Sequence, residues 1–299
     1  MILIKNSIIA ISCLAIILGI SACEREVHLN LSTGTPKVVV EGRIDNGYPP
    51  FVTLTSSIGF FDTVDFSSLQ NYFIHNADIK VSDGTTTVSL KEYALDTGNH
   101  SKFYIYSLDT SSPGALSFTG QVGKFYTLTI NYNGQTYTSV TKIPEPIKID
   151  SIRSQPPAFV PKDYPNAIDL VVYFKDPDTL GNYARYSTKR NSEPFYTGDL
   201  YSDQITNGIA VNWHIHPGKN TAQPDSVKNS YFFKGDTVTV AWSSIDKGVY
   251  TFWNTFQYAA DQVGNPFSSP INSESNISNG AVGVWAGYGT TQSTFIIPK

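Results

Sequence analysis

Residues 126–140 have the sequence YTLTINYNGQTYTSV, in which apolar and polar side chains alternate on both sides of an Asn-Gly pair. Tyr126, Leu128 and Ile130 fall on one face of an extended strand, and the intervening threonines fall on the other. Asn133 and Gly134 tolerate the positive φ that a two-residue hairpin turn requires. The stretch therefore predicts a half-buried antiparallel hairpin, and it indicates a mainly β fold.

Similar short runs, separated by turn residues, continue from Lys37 to about Pro146. They predict strands at residues 37–42, 51–55, 79–81 and 88–90, the last two flanking the turn signal Asp83-Gly84. Several strands at this spacing, with no long amphipathic helix, are typical of an immunoglobulin-like β-sandwich. We therefore assign residues 37–146 to an N-terminal sandwich domain.

The segment Ile143-Pro144-Glu145-Pro146 interrupts this pattern, because proline removes a backbone donor and biases the preceding residue toward extended geometry. We place a domain boundary there and expect residues 147–299 to form a second β-rich domain. Its patterns predict a buried strand at residues 168–174, a partner strand for it at residues 183–189, and another strand at residues 237–242.

The second half contains the one segment with helical period. Apolar side chains recur there at i, i+3, i+4, i+7 and i+11, in Val249, Phe252, Trp253, Phe256 and Ala260. Ser244 and Asp246 precede this run as possible caps. The pattern predicts a single short helix whose aromatic stripe packs on the sheet.

The N-terminus predicts export and lipidation. Residues 8–20 carry no charge after Lys5, and this run is too short to span a bilayer comfortably, which favours a cleaved leader. The sequence Ile20-Ser21-Ala22-Cys23 has the form of a lipobox, and the only other cysteine lies inside the leader. We therefore predict a signal peptide at residues 1–22, a lipidated Cys23 and a polar tether at residues 23–36. Acyl chains would hold the protein at the membrane.

The composition argues against nucleic acid as a partner. The chain has 21 Lys and Arg residues against 25 Asp and Glu residues, a formal net charge of −4 at pH 7, and it contains no basic cluster. A nucleic-acid-binding domain usually carries a basic patch or stripe.

The second half also carries motifs of a known family. These are Asp176-Pro-Asp178 with Gly181-Asn182-Tyr183, Ser244-Ile245-Asp246, Gly264-Asn265-Pro266-Phe267, and the run from Asn276 to Trp285. Together with the lipobox and the strand at residues 37–42, they resemble the Bacteroidota outer-membrane lipoproteins of domain-of-unknown-function family four-two-four-nine. From the residues alone, the Asp, Asn, Gly and Pro motifs indicate turns rather than ligands.

The resemblance implies an envelope lipoprotein, of a family often encoded beside TonB-dependent outer-membrane transporters. It implies no catalytic residues, because the family has no established activity. Glu24 and Glu26 resemble the acidic signal that directs such lipoproteins to the cell surface, with Arg25 between them.

Two sets of residues are candidates for binding. Loop aromatics could stack on a sugar or dock a partner, or could be buried beneath their own loop; they are Phe60, Phe61, Phe66, Tyr72 and Phe73. His214 and His216 would point to one face of a strand and could share Zn²⁺ or Cu²⁺. No third ligand is near in sequence, although Asp225 is a remote option, so two exposed histidines are the preferred interpretation.

No sequence motif for catalysis, phosphate binding or a resident cofactor is present. We therefore expect a non-enzymatic lipoprotein of the outer membrane, facing the cell surface, that serves as an accessory or ligand-binding component of TonB-dependent transport. The alternatives are an envelope hydrolase with its site at the domain junction and an adhesin-like binding module.

Overall fold

The computed structural model describes residues 35–58, 66–96, 102–112, 117–218, 227–262 and 272–299. The chain divides into two compact units, of which the first comprises Met1–Thr35 and Gly59–Phe61. The second unit comprises Pro36–Ile58 and Asp62–Lys299, and it contains all the strands and helices given below. The predicted leader, Cys23 and the tether as far as residue 34 lie outside the described residues.

The described residues are mainly β, as the sequence predicts. The first seven strands are β1 (Val38–Asp45), β2 (Phe51–Ser56), β3 (Asp78–Ser82), β4 (Thr87–Asp96), β5 (Lys102–Leu108), β6 (Phe125–Tyr132) and β7 (Gln135–Lys142). The remaining strands are β8 (Ser151–Gln155), β9 (Ala167–Lys175), β10 (Tyr183–Arg190), β11 (Tyr196–Ser202), β12 (Ala210–Ile215), β13 (Phe232–Phe233), β14 (Thr237–Ile245) and β15 (Val282–Ile296). Helix α1 spans Lys247–Asp261, and short 3₁₀ turns span Phe66–Tyr72 and Val227–Ser230.

Eleven of these strands form one sheet in the order β11-β10-β14-β15-β1-β2-β5-β4-β3-β6-β7. Strands β1 and β15, the first and last described strands, pair parallel with each other. Each of them pairs antiparallel with its other neighbour, β1 with β2 and β15 with β14. A second sheet has the order β12-β9-β13, with β8 also paired to β9. Among the described strands, the main sheet therefore contains members from both halves of the sequence.

The hairpin at residues 126–140 forms as predicted. Strands β6 and β7 pair antiparallel, with Tyr132 opposite Gln135 across the turn. Asn133 has φ of 49° and Gly134 has φ of 72°, which are the left-handed values that such a turn demands. Leu128 and Ile130 are fully buried, so the apolar face of the hairpin is the core face.

Strands β1 to β6 supply most of one hydrophobic core, which includes Val40, Leu54, Ile79 and Leu128. Trp285 of β15 also belongs to this core, and its indole Nε1 donates to the Tyr126 carbonyl oxygen at 2.9 Å. The immunoglobulin-like arrangement of the N-terminal domain stays a prediction, although its β character is confirmed.

The second large core begins just after the proline segment. Ile143 belongs to the first core, whereas Ile147 packs with β9, β10 and β14 around the buried Trp242. The sheet nevertheless continues across this point through the β1–β15 pair. The division into domains at residues 146 and 147 stays a prediction.

One predicted strand pairing is wrong. Strand β9 does not pair with β10, because β9 lies in the second sheet between β12 and β8 while β10 lies between β14 and β11. Side chains of the two strands still meet, since Phe174 of β9 and Tyr186 of β10 share the second core. Their apolar patterns match because the strands face each other across that core, and pattern alone does not distinguish facing strands from paired ones.

Helix α1 also agrees with its sequence pattern. The Asp246 carboxylate accepts from the Val249 backbone N–H at 2.9 Å, which makes Asp246 the N-cap. Val249 and Phe252 are buried against β14 and β15, while Phe256 is 46% exposed. Within the described part of the chain, no helix combines the length and apolar character needed to cross a membrane.

Candidate functional site

An open groove lies on one face of the main sheet, across strands β10, β14, β15 and β1. Its floor is built from cross-strand neighbours with short side chains: Ser187 lies opposite Ala241, and Ser243 lies opposite Thr290. The Ser243 and Thr290 hydroxyls are hydrogen-bonded to each other at 2.8 Å. Because these side chains are short, they project little from the sheet, and the surface between the larger neighbouring side chains is concave.

Larger side chains form the wall of this groove. Tyr48 and Pro49 come from the turn after β1, Phe51 begins β2, and Phe195 precedes β11. Tyr48 is 65% exposed and Phe195 is 42% exposed, so their rings face solvent rather than a core. The groove encloses about 600 Å³, within the size range of small-molecule sites.

Arg43 lies at one end of the groove and is paired with a carboxylate. Its Nε donates to Asp45 Oδ2 at 2.7 Å, and a terminal nitrogen also donates to Asp45. Its guanidinium lies 4.6 Å from the Tyr288 ring centroid and 5.7 Å from that of Phe51. Burial would lower the pKa of Arg43, but the hydrogen bonds and charge of Asp45 outweigh it and raise that pKa.

A second, smaller cavity of about 160 Å³ adjoins the groove at Arg43, between the sheet and helix α1. Arg185 of β10 and Trp253 of α1 line it, with the Arg185 guanidinium 3.7 Å from the Trp253 ring centroid. Trp253 Nε1 donates to the Tyr288 hydroxyl at 3.1 Å, which holds the indole in place. Arg43 lines both cavities, which therefore meet at its side chain.

The two arginines differ in their electrostatic environment. Among the described residues, no carboxylate forms an ion pair with Arg185, and its Nε is buried without a hydrogen-bond partner. Burial lowers the pKa of Arg185, with interactions from Tyr288 and Glu41 opposing the change. Burial also raises the pKa of Tyr288, against the influence of both guanidiniums.

This arrangement provides contacts for noncovalent binding. The groove offers aromatic faces, hydroxyl groups and a guanidinium, and the adjoining cavity adds a second guanidinium beside an indole. Apolar walls with a few placed polar groups are typical of ligand sites. Among the residues lining the two cavities, the Asp45 carboxylate is already engaged by Arg43, and Glu41 is exposed.

The predicted aromatic candidates lie elsewhere. Phe60 and Phe61 are outside the described residues, and Phe66 begins a 3₁₀ turn, with only its backbone described. Tyr72 ends that turn and is partly buried. Phe73 packs edge-on against Phe103 with ring centroids 5.1 Å apart, and it also contacts Tyr104. The structure places the described pair along the β2–β5 region, outside the lining of the groove.

His214, in β12, and His216, just after the end of that strand, are both exposed. The His216 backbone N–H donates to the Tyr186 hydroxyl at 3.2 Å. No group of three or more potential metal ligands occurs among the described residues, which do not include Asp225.

The carboxylate of Asp176 is engaged by hydrogen bonds from β11 and from the segment that follows that strand. The Asp176 carboxylate accepts from the Tyr201 hydroxyl at 2.8 Å and from the Gly208 backbone N–H at 3.2 Å. Asp203 accepts from the backbone N–H groups of Gly181 and Asn182. Burial raises the pKa of Asp176, with the charge of Asp203 adding to the increase. These contacts agree with the turn interpretation of the motif; residues 264–267 lie outside the described part.

Sequence reasoning missed the residues that form the groove. The sequence pattern predicts Trp253 only as part of the helix stripe, and it does not single out Arg43 or Arg185. The available signal was an arginine at an interior position of each of the strands β1 and β10. The sequence does not show that these strands are neighbours.

Fold and site together define a mainly β protein with an open, aromatic-walled groove on its principal sheet. The family model described as domain of unknown function (DUF4249) matches residues 24–294, and the chain belongs to this family. The predicted membership of this domain-of-unknown-function family is thereby confirmed, whereas the lipoprotein character stays a prediction. No curated protein matches the chain.

Proposed function

We propose that this protein is a lipid-anchored, non-enzymatic ligand-binding component of the outer membrane that works beside a TonB-dependent transporter. The observation that carries the binding role is the groove of about 600 Å³ between Arg43, Tyr48 and Phe195. Its exposed rings and hydroxyls suit reversible capture of a small molecule. The lipobox and the family resemblance support the location at the cell surface and the transporter as partner.

The anchor is tested first, with the full chain expressed in its native cell. Cys23→Ala should remove acyl labelling and release the protein from the outer-membrane fraction. Cys13→Ala is the matched control, because it changes the cysteine inside the predicted leader and should leave lipidation intact. Equal labelling of wild type and Cys23→Ala would contradict the anchor.

The partner is tested by extracting tagged, lipidated protein in mild detergent and identifying bound proteins by mass spectrometry. A TonB-dependent transporter at near-stoichiometric amount is expected. Ser187→Trp, which fills the groove floor, separates ligand binding from association with the transporter. This variant should abolish ligand uptake but should still be recovered together with the transporter. Ser89→Trp, at an exposed position of β4, is the control. Recovery of the lipoprotein alone would refute stable association.

A further inference from the structure

Arg185 stands apart from the other arginines of the second half of the chain. Arg190 is paired with Glu193, with 2.7 Å between Arg190 Nη2 and Glu193 Oε1. Arg153 is exposed, and its guanidinium lies 4.9 Å from the Tyr173 ring centroid. Arg185 is only partly accessible, contacts Trp253, and has no ion pair among the described residues.

An uncompensated guanidinium beneath a helix is costly. A charge withdrawn from water loses hydration, and a nearby anion or a full set of hydrogen bonds must replace it. The interactions of Arg185 are those with Trp253, Tyr288 and the more distant charge of Glu41. Its Nε–H is shielded from solvent and unpaired. An anion would supply such a partner, and the cavity of about 160 Å³ beside Arg185 has room for a small one.

We propose that Arg185 anchors a carboxylate group of the ligand, whose apolar body lies in the adjoining groove; this inference rests on the proposed function of the groove as a binding site. Arg43 lines both cavities, so a molecule can run from Arg185 past Arg43 toward the rings of Phe51 and Tyr48. A planar carboxylate matches the two parallel N–H donors of a guanidinium.

The charges around the cavity favour a singly charged group over a phosphate dianion. Asp45 already neutralises Arg43, and Glu41 adds a second negative charge at the lining of the same cavity. One guanidinium therefore remains for the ligand, with an exposed carboxylate nearby. A dianion would meet stronger repulsion from Glu41 than a carboxylate does.

The test uses the full lipidated protein in detergent and isothermal titration with defined probes. Benzoate carries the proposed group on an apolar ring, benzyl alcohol is its uncharged counterpart, and inorganic phosphate tests anions in general. Wild type should bind benzoate at least tenfold more tightly than either of the other probes. This factor corresponds to one charge-assisted hydrogen-bond pair.

Variants assign the effect to Arg185. Arg185→Gln should weaken benzoate binding at least tenfold. Arg185→Lys should give an intermediate loss, because lysine keeps the positive charge but lacks the two parallel N–H donors of a guanidinium. Arg153→Gln, an exposed arginine against a tyrosine, should bind as wild type does. Glu41→Gln should strengthen binding, since it removes repulsion. Thermal unfolding without probe should show Arg185→Gln as stable as wild type, because it removes an uncompensated charge.

The outcomes separate this inference from the proposed function. Equal binding of benzoate and benzyl alcohol, or unchanged binding in Arg185→Gln, would overturn the carboxylate anchor and leave the groove as a binding site. Tighter binding of phosphate would overturn the choice of carboxylate. Absence of binding by wild type to all three probes would overturn the inference, while the transporter pull-down would still decide the accessory role.

Discussion

Asp246 is the residue whose replacement should most clearly disturb the junction between helix α1 and the sheet. Its Oδ1 accepts from the Val249 backbone N–H at 2.9 Å and caps the helix. Its Oδ2 accepts from the Thr141 hydroxyl at 2.7 Å and from the Lys142 backbone N–H at 3.1 Å, both on β7. One carboxylate therefore fixes the start of the helix and ties it to a strand distant in sequence.

The expected cost of Asp246→Ala follows from these three bonds. Loss of an N-cap costs about 1 kcal/mol. The buried Thr141 hydroxyl loses a charged acceptor, which costs about 1.5 kcal/mol, and the exposed Lys142 bond adds roughly 0.5 kcal/mol. We expect the free energy of unfolding to fall by about 2 to 4 kcal/mol in total.

Asp246→Asn divides this effect into its parts. Asparagine is as good an N-cap as aspartate, but an NH₂ group in the place of Oδ2 cannot accept from the Thr141 hydroxyl or from the Lys142 backbone N–H. The asparagine variant should therefore cost about 2 kcal/mol, roughly 1 kcal/mol less than the alanine variant. Asp150→Ala, at an exposed position before β8, is the control and should stay within about 0.5 kcal/mol of wild type.

The assay is urea unfolding of each variant, followed by tryptophan fluorescence, with the midpoint and the slope fitted together. A loss for Asp246→Ala no larger than that of Asp150→Ala would refute the reasoning. Equal losses for the alanine and asparagine variants would show that capping contributes little and that the bonds to β7 dominate.

Two further predictions concern stability. Gly42→Ala should cost about 1 to 3 kcal/mol, because a Cβ there would lie 2.7 Å from Cε3 of the fully buried Trp285; chemical denaturation measures the loss, and wild-type stability would contradict it. Burial acts to raise the pKa of Glu92, but hydrogen bonds from His75, Asn76 and Tyr106 outweigh it and lower that pKa. The stabilisation is therefore present above the ordinary pKa of 4.5 and is lost as pH falls through the lowered value. Glu92→Gln should be less stable than wild type at pH 7, and the difference should shrink in acid; a difference independent of pH would contradict this.

Local chemistry made parts of the fold predictable. The Asn133-Gly134 turn requires positive φ, and few residues other than glycine and asparagine adopt it at low cost. The start of α1 at Asp246 likewise follows from a side chain that satisfies the first free N–H groups of a helix. Both features depend on residues close together in sequence.

Partner choice between distant strands was not predictable in the same way. Strand β9 has an apolar pattern that several strands could satisfy, and its true neighbours are decided by packing across the second core. The parallel pair of β1 and β15 joins strands from opposite ends of the chain. Neither strand carries a local signal for the other, since periodicity reports which face is buried and not which strand lies alongside.

The candidate site depends on these long-range pairs. The β1–β15 register sets Asp45 beside Tyr288, and the β10–β14 register sets Arg185 beside Ser243. A change of register by one residue would turn each of these side chains to the opposite face. The groove residues were therefore unrecognisable from sequence, although each of them is an ordinary member of its own strand.

The same pairing gives ligand binding a structural consequence. Arg43 lies on β1 in the first half of the chain, whereas Ser187 and Ala241 lie on strands of the second half. Under the proposed function, a molecule bound in the groove would contact both sets and would therefore bridge strands that lie on either side of β15. Binding energy gained in that position stabilises the paired state by mass action. Occupation of the groove should therefore strengthen the connection between the two cores, in addition to holding the ligand.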